Sequence, residues 1–169
     1  THGMAGGAIS VDGFRKMVDF ENVVAIKWSP PVADRPIPGK YEEIFELKHA
    51  FNIIDNCFGP VRCHKLGGRG YVNHTVHTYP PHEIRVWELL ENGEYDEAEK
   101  LYHHVEGALN KWWETRQLDN SGGQARFAKA MMAAMGNPMG ASRPPSQPVG
   151  DEDIKSLREL LMQFGWPVL

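Results

Sequence analysis

The sequence predicts an α/β fold in which a small parallel sheet is followed by a helical region. Three short apolar segments alternate with helical segments over residues 1–78, and only helical patterns follow over residues 79–169. Parallel strands need a long crossover between them, and a helix between successive strands supplies it. We therefore expect a three-stranded parallel sheet in residues 1–78 and a group of helices in residues 79–169.

The first 78 residues carry the signals of three helix and strand pairs. Ser10 is a suitable cap for a helix over residues 11–18. Residues 23–26 are apolar without alternation, which is typical of a strand buried on both faces, and Lys27 ends this strand. The remaining predicted elements are a helix over residues 41–49, a strand over residues 51–54 ending at Asp55 and Asn56, a helix over residues 60–65 stopped by Gly67 and Gly68, and a strand from Tyr71.

The region after residue 79 has the pattern of four helices. The first ends at Asn92 and Gly93, and the second has an apolar stripe of residues three and four positions apart, namely Ala98, Leu101, Val105, Ala108 and Trp112. A shorter helix carries Phe127, Met131 and Ala134. A connection rich in Pro, Gly and Ser over residues 137–150 then leads to a last helix, which Asp151 is expected to cap.

Three strands do not make a complete sheet of this kind. Both edges would be open, and a strand of Val and Ile would face solvent on one side. The sequence also begins with Thr1 rather than Met. We therefore expect the three strands to be part of a larger sheet whose other strands lie in a missing N-terminal half.

Composition excludes several classes of function. The net charge is −4 and no long basic run occurs, so nucleic acid is not an expected partner. The chain lacks an apolar run long enough for a bilayer span and a recognisable secretion signal, so we expect no membrane association and a cytoplasmic location. The two cysteines, Cys57 and Cys63, are expected to be free thiols, and the eight histidines match no zinc spacing. No metal and no cofactor is predicted.

Four segments carry a recognisable family pattern. Residues 22–27 read Asn-Val-Val-Ala-Ile-Lys, and residues 66–72 read Leu-Gly-Gly-Arg-Gly-Tyr-Val. Residues 93–98 open the long helix, and residues 141–145 precede the last one. In this order and spacing they resemble the C-terminal half of the dihydrodipicolinate synthase and N-acetylneuraminate lyase family. The resemblance implies strands six to eight of a (β/α)₈ barrel in residues 1–78, followed by the last barrel helix and a C-terminal helical tail.

The resemblance also implies a reaction. Lys27 would be the amine that forms a Schiff base with pyruvate or a 2-keto-3-deoxy acid, in a class I lyase, aldolase or hydro-lyase. An amine attacks a ketone only as the free base, and we expect the apolar neighbours Ile26 and Trp28 to favour the neutral form by desolvation. The alternative is a non-catalytic barrel relative that binds a small acid or a protein partner.

Residues near the strand ends are expected to bind the substrate, because the carboxyl ends of barrel strands line the catalytic face. They are Trp28, Asp55, Asn56, Val72, Asn73 and His74. Family members are commonly dimers or tetramers, so we expect a homodimer or homotetramer. The aromatic and Met residues of the helical tail are candidates for its interface, namely Tyr102, Trp112, Trp113 and Met131.

The sequence departs from the family pattern at several positions. The Glu-Ser or Glu-Ala pair that often follows the lysine is Trp28-Ser29 here, and residues 3–7 lack the arginine that many members carry. The family's tyrosine and carboxylate-binding loop would precede Thr1. The reaction class is therefore implied more strongly than the substrate.

Overall fold

Three short parallel strands form the sheet of this computed structural model, which describes residues 9–29, 40–56, 59–117 and 123–169. The chain divides into two compact units, Thr1–Asn73 and His74–Leu169. The predicted domain limit at residue 78 falls five residues after this division. The expected free thiol of Cys57 and the segment of residues 3–7 lie outside the described residues, whereas Cys63 is a free, buried thiol.

The first unit alternates helices and strands as expected. Its elements are α1 (Val11–Arg15), β1 (Ala25–Trp28), a 3-10 helix (Tyr41–Leu47), β2 (Asn52–Asn56), α2 (Pro60–Lys65) and β3 (Gly70–Val72). The sheet order is β1-β2-β3, and both pairs are parallel. The predicted α/β class and the parallel arrangement are therefore confirmed for this part of the chain.

Strand β1 differs from the predicted strand in its position. It begins at Ala25 instead of Val23, and Lys27 lies within it rather than ending it. Side chains alternate between the two faces of a strand, and Ile26 and Trp28 are buried whereas Ala25 and Lys27 are exposed. In the described residues only one face of β1 packs on a core, and cover of the other face by strands outside this chain stays a prediction.

The core of the first unit lies on that covered face. Ile26, Trp28 and Ile53 of the sheet join Phe14 of α1 and Ile44 of the 3-10 helix in one buried cluster. Tight turns bring the elements together. Gly67 ends α2 with a positive φ of 96°, and a Cβ atom on Gly68 would overlap the Cys63 sulfur and stand 2.8 Å from the Cys63 carbonyl oxygen.

Capping agrees with the sequence at one helix and differs at another. The Ser10 hydroxyl accepts a hydrogen bond from the Gly13 amide at 3.2 Å, so the predicted cap of α1 is confirmed, although this helix ends at Arg15 instead of residue 18. The last helix has Gly150 as its cap, and Asp151 is its first helical residue. Asp151 therefore stabilises the positive end of the helix by its charge rather than as the cap.

The second unit is helical throughout its regular structure. It contains α3 (Pro80–Glu91), α4 (Tyr95–Thr115), α5 (Gly123–Ala134) and α6 (Asp151–Gln163). Phe127, Met131 and Ala134 of α5 are buried, as predicted, and they pack in one cluster with Leu157 and Leu161 of α6.

The buried face of α4 is rotated slightly from the predicted stripe. Tyr102 and Leu109 are buried, whereas Leu101 and Ala108 are only half-buried. Tyr102, Trp112 and Met131 are thus core residues. They are not available for the self-association surface that the sequence suggested, because the helices of their own chain cover them.

Candidate functional site

Lys27 lies on the face of the sheet that turns away from the core. It pairs in register with Ile54 of β2, and its side chain is exposed. Its neighbours Ile26 and Trp28 point to the opposite face and are 2% and 1% exposed. The expected desolvation of the amine by these two residues is therefore corrected: they build the core beneath the strand and do not enclose the amine.

A polar pair lies two residues beyond Lys27, at the carboxyl end of the same strand. The Asn56 side-chain amide donates a hydrogen bond of 2.8 Å to the Ser29 hydroxyl. Ser29, which directly follows β1, is 1% exposed. Trp28 pairs with Asp55, so the next residues along the chain, Ser29 and Asn56, stand side by side. Lys27, Ser29 and Asn56 thus share one face, at the end of the strands where barrel enzymes hold their substrates.

Ser29 was not among the predicted site residues. The sequence marked it only as a departure from the family pattern, directly before two prolines. Its polar partner is 27 residues away, so the pairing depends on the register of β1 against β2. The available signal was its position two residues after the lysine, which places both side chains on one face of an extended chain.

Two predicted substrate residues lie on the core face instead. The Trp28 indole donates to the Tyr41 carbonyl oxygen at 3.2 Å and meets the Phe14 ring edge-on, with 6.0 Å between ring centroids. Asp55 is fully buried and accepts from the Tyr41 hydroxyl at 3.3 Å and from the Gly59 amide at 3.1 Å. We therefore assign both to the core, because alternation turns them away from Lys27.

The surroundings of Asp55 hold two further ionisable groups in their neutral forms. Burial raises the pKa of the Tyr41 hydroxyl well above its ordinary value, and the charges of Cys63 and Asp55 add to this effect. Burial also raises the pKa of the Cys63 thiol to about 11. A thiol that stays protonated is a poor nucleophile, so this group holds the sheet to its helices rather than performing chemistry.

The remaining predicted residues follow β2 and β3. Val72 pairs with Asn56, so it shares the face of Lys27, and it is 40% exposed. Asn73 directly follows β3 and is buried. His74 begins the second unit, where its ring meets Phe127 at 6.4 Å between centroids. The structure thus brings Val72 and Asn56 together with Lys27 on one sheet face.

The described residues contain neither a cluster of metal ligands nor a helix suited to a membrane. No group of three or more His, Cys, Asp or Glu side chains in residues 9–29, 40–56, 59–117 and 123–169 is arranged to hold a metal ion. None of the helices in those ranges combines the length and the apolar character of a membrane span.

Comparison with known proteins identifies the family. A sequence model of the dihydrodipicolinate synthetase family matches residues 2–164. No curated protein matches the chain.

Solved structures give the same result for the fold. Dihydrodipicolinate synthase from Aquifex aeolicus is 22% identical with a TM-score of 0.74, and the aligned region covers 95% of this chain and 52% of that one. N-acetylneuraminate lyase from Fusobacterium nucleatum is 19% identical with a TM-score of 0.71, at 95% and 52% coverage. YagE, a prophage protein of the dihydrodipicolinic acid synthase family from E. coli K12 solved in complex with pyruvate, is 16% identical with a TM-score of 0.71, at 93% and 51% coverage.

Two conclusions follow from these matches. The chain spans about half the length of the solved structures it matches. The resemblance that the sequence motifs suggested is confirmed, because the match to the family model covers nearly the whole chain. With its parallel strands and crossover helices, this chain belongs to the dihydrodipicolinate synthetase family.

Proposed function

We propose that this chain supplies the Schiff-base lysine of a class I lyase, aldolase or hydro-lyase that acts on pyruvate or a 2-keto-3-deoxy acid. The observation that carries the proposal is Lys27 in β1 of a member of this family, on the open face of the sheet and beside the Ser29–Asn56 pair. The substrate within this class remains part of the proposal.

The proposed chemistry begins with the amine. The neutral Lys27 Nζ atom adds to the C2 carbonyl carbon of the keto acid, and both of its hydrogens leave with the carbonyl oxygen as water, which gives an imine. Uptake of one proton from solvent turns the imine into an iminium ion. The iminium then takes up the electron pair of a bond at C3, so that a proton or an aldehyde leaves and an enamine remains. Ser29 and Asn56 supply a hydroxyl and an amide to orient the substrate or the departing water.

We propose further that the chain forms strands six to eight of a (β/α)₈ barrel. Three facts support this: the sheet is parallel, the Lys27 side chain is exposed on the face turned away from the described core, and the chain spans about half of its solved relatives. An N-terminal half with the other strands would cover that face and complete the site. This half is the partner that we expect, together with a second or further copy of the chain in a homodimer or homotetramer.

Substrate choice within this proposal rests on residues beyond β2 and β3. Replacement of Asn73 or His74 by Ala should change the preference among keto acids without preventing imine formation. The alternative function is that of a non-catalytic barrel relative that binds a small acid or a protein partner. The half-length match favours this alternative if the chain has no complementing half. Trapping of the imine distinguishes the two functions.

The test is borohydride reduction in the presence of pyruvate, on the protein together with its complementing half. Reduction should leave a 1-carboxyethyl group on Lys27, located by mass spectrometry of the peptides. Lys27→Arg should remove the adduct, because arginine remains protonated and is not a nucleophile at neutral pH. Lys16→Arg, at an exposed lysine beyond α1, is the matched control and should keep the adduct.

An adduct on a different lysine would assign the reaction to another residue. A complete, folded protein that forms no adduct with any 2-keto acid would leave the non-catalytic function instead.

A further inference from the structure

Residues 164–169, which follow α6, pack on the start of α3 through a cluster of aromatic rings. Trp166 is 6% exposed, and its ring centroid lies 5.0 Å from that of Tyr79 and 5.7 Å from that of His82. The Phe164 ring packs on Trp166 from within the segment, at 5.6 Å. We call these four residues the ring cluster.

The backbone of the segment is bonded locally. The amides of Phe164 and Trp166 donate to the Leu161 carbonyl oxygen at 3.1 and 3.3 Å, and the Val168 amide donates to the Trp166 carbonyl oxygen at 2.9 Å. Gly165, between the two rings, has a φ of 74°, in the left-handed region that favours glycine. In the described residues, side chains rather than backbone hydrogen bonds therefore hold the segment against α3.

His82 is the member of the ring cluster that changes its charge near neutral pH. It is 6% exposed, and among the described residues its Nε2 atom is buried without a hydrogen-bond partner. The Glu83 Oε1 atom lies 3.8 Å from Nε2, beyond hydrogen-bond distance, and accepts from the Thr75 hydroxyl. An imidazolium donates from both ring nitrogens, so protonation would bury a charged ring with one donor unsatisfied.

Charged groups around His82 come from two helices. Burial lowers the pKa of His82 below its ordinary value, attraction by Glu83 of α3 opposes this change, and repulsion by His104 of α4 adds to it. Residues 164–169 carry no charged side chain. The folded unit therefore favours the neutral ring, and contact with water favours the imidazolium.

We propose that protonation of His82 in mildly acidic solution releases residues 164–169 from α3, so that the ring cluster is a pH-sensitive switch. Movement of Trp166 away from His82 exposes the ring to water, which supplies the acceptor that Nε2 lacks. Rotation at Gly165 allows this movement while α6 keeps its own hydrogen bonds. The inference does not depend on the proposed reaction at Lys27.

The direction of the pH dependence follows from burial. The packing of the segment on His82 is fully stable above pH 6.5, the ordinary pKa of a histidine. It weakens as pH falls from there through the lowered pKa of the folded protein, because the released form takes up the proton more readily.

The test is ¹⁹F NMR of this chain labelled with 5-fluorotryptophan, together with its unlabelled complementing half, from about pH 7.5 to about pH 5. Trp166→Phe assigns the Trp166 resonance. This resonance should move toward that of a solvent-exposed indole with a midpoint below pH 6.5, whereas the resonance of Trp28 in β1 should stay in place.

Two histidine variants separate His82 from other groups that titrate in this range. His82→Phe keeps a ring but cannot take up a proton, so the Trp166 resonance should keep its neutral position at every pH. His77→Gln is the matched control, because His77 also has a pKa lowered by burial but bonds to the Ala128 backbone. This control should give the same transition as the unchanged protein.

Three results would overturn the switch. They are a Trp166 resonance that stays in place down to about pH 5, an equal transition in His82→Phe, and joint movement of all five tryptophan resonances, which indicates global unfolding. Dispersed resonances at about pH 7.5 show that a variant is folded. If His82→Phe does not fold, His104→Gln at an exposed position decides: loss of its repulsion should raise the midpoint, and an unchanged midpoint contradicts the proposal.

Discussion

Side-chain alternation along β1 separates the proposed reactive amine from the core. Ile26 and Trp28 fill the space against α1 and the 3-10 helix, while Lys27 between them points the other way. A shift of one residue in the strand would exchange these faces, burying the ammonium and exposing the indole. The core residues on the opposite face therefore determine the direction of Lys27.

At the residue scale, we predict that Asn56 matters for imine formation and Asn52 does not. Asn56→Ala removes the donor to Ser29 and should slow trapping of the pyruvate imine about tenfold, the effect of about 1.4 kcal/mol in the barrier. Asn52 is the same residue type, on the same face, at the other end of β2. Equal trapping rates for Asn56→Ala and Asn52→Ala would remove the polar pair from the proposed mechanism.

The Cys63 thiol predicts a loss of stability in alkali. Its pKa is raised from 9.0 to about 11 in the folded chain, so the unfolded chain releases its proton at lower pH. Stability from this thiol is fully present below pH 9.0 and declines as pH rises toward about 11. By about pH 10 the loss should be about 1 kcal/mol.

Urea unfolding as a function of pH measures this loss. The free energy of unfolding should fall between about pH 8 and about pH 10 by a larger amount in the unchanged protein than in Cys63→Ala. The comparison removes contributions from groups that do not interact with Cys63. The raised pKa of Tyr41 acts in the same direction and depends partly on Cys63, so the difference between the two proteins includes that part. Parallel pH profiles for the two proteins would contradict a buried, neutral Cys63.

At the scale of elements, Asp55 joins β2 to its neighbours. Its two carboxylate oxygens accept from the Tyr41 hydroxyl of the 3-10 helix and from the Gly59 amide at the start of α2. Asp55→Ala leaves the buried Tyr41 hydroxyl and the half-buried Gly59 amide without this acceptor and should lower the free energy of unfolding by about 2–3 kcal/mol. Chemical denaturation measures the change.

Two further variants serve as comparisons for the Asp55 prediction. Asp19→Ala removes an exposed carboxylate of the same unit and should change stability by less than about 0.5 kcal/mol. Asp55→Asn keeps the size and one acceptor oxygen, so it should cost less than Asp55→Ala. If Asp55→Ala lowers keto-acid binding but leaves stability unchanged, Asp55 belongs to the substrate site as first predicted.

At the scale of the whole molecule, we predict that residues 1–169 expressed alone form no imine. In the described residues, β1 and β3 each have one strand neighbour, so each has an open edge, and the Lys27 face lacks a covering layer. Catalysis requires groups held in register around the substrate, and several kcal/mol of the rate enhancement come from such positioning. Supplying the N-terminal half of a family member as a second chain should restore solubility and imine formation together.

Size-exclusion chromatography and borohydride trapping, with and without that second chain, test this. The control is the same mixture with Lys27→Arg, which should assemble without forming an adduct. A soluble, cooperatively folding chain that forms the imine alone would show that the three strands do not need the rest of a barrel.

Several features were determined by the sequence alone. The apolar runs, the glycines after α2 and the helical periodicities beyond residue 79 predicted the order of the elements, because these signals are local in the chain. The helix α2 was predicted with its observed limits, Pro60–Lys65. The motif around Lys27 predicted the family, which the match over residues 2–164 confirms.

Other features were decided only by the tertiary structure. The face to which a strand residue points depends on where its strand begins, and this start is set by pairing with β2. Because of this pairing, Trp28 and Asp55 lie in the core. The same pairing places Ser29 beside Asn56, which is 27 residues away in the sequence. In the helical unit, packing between α5 and α6 turned Met131 inward, although its residue type suits an interface equally well. Burial is a property of neighbours distant in the chain, so local patterns did not determine it.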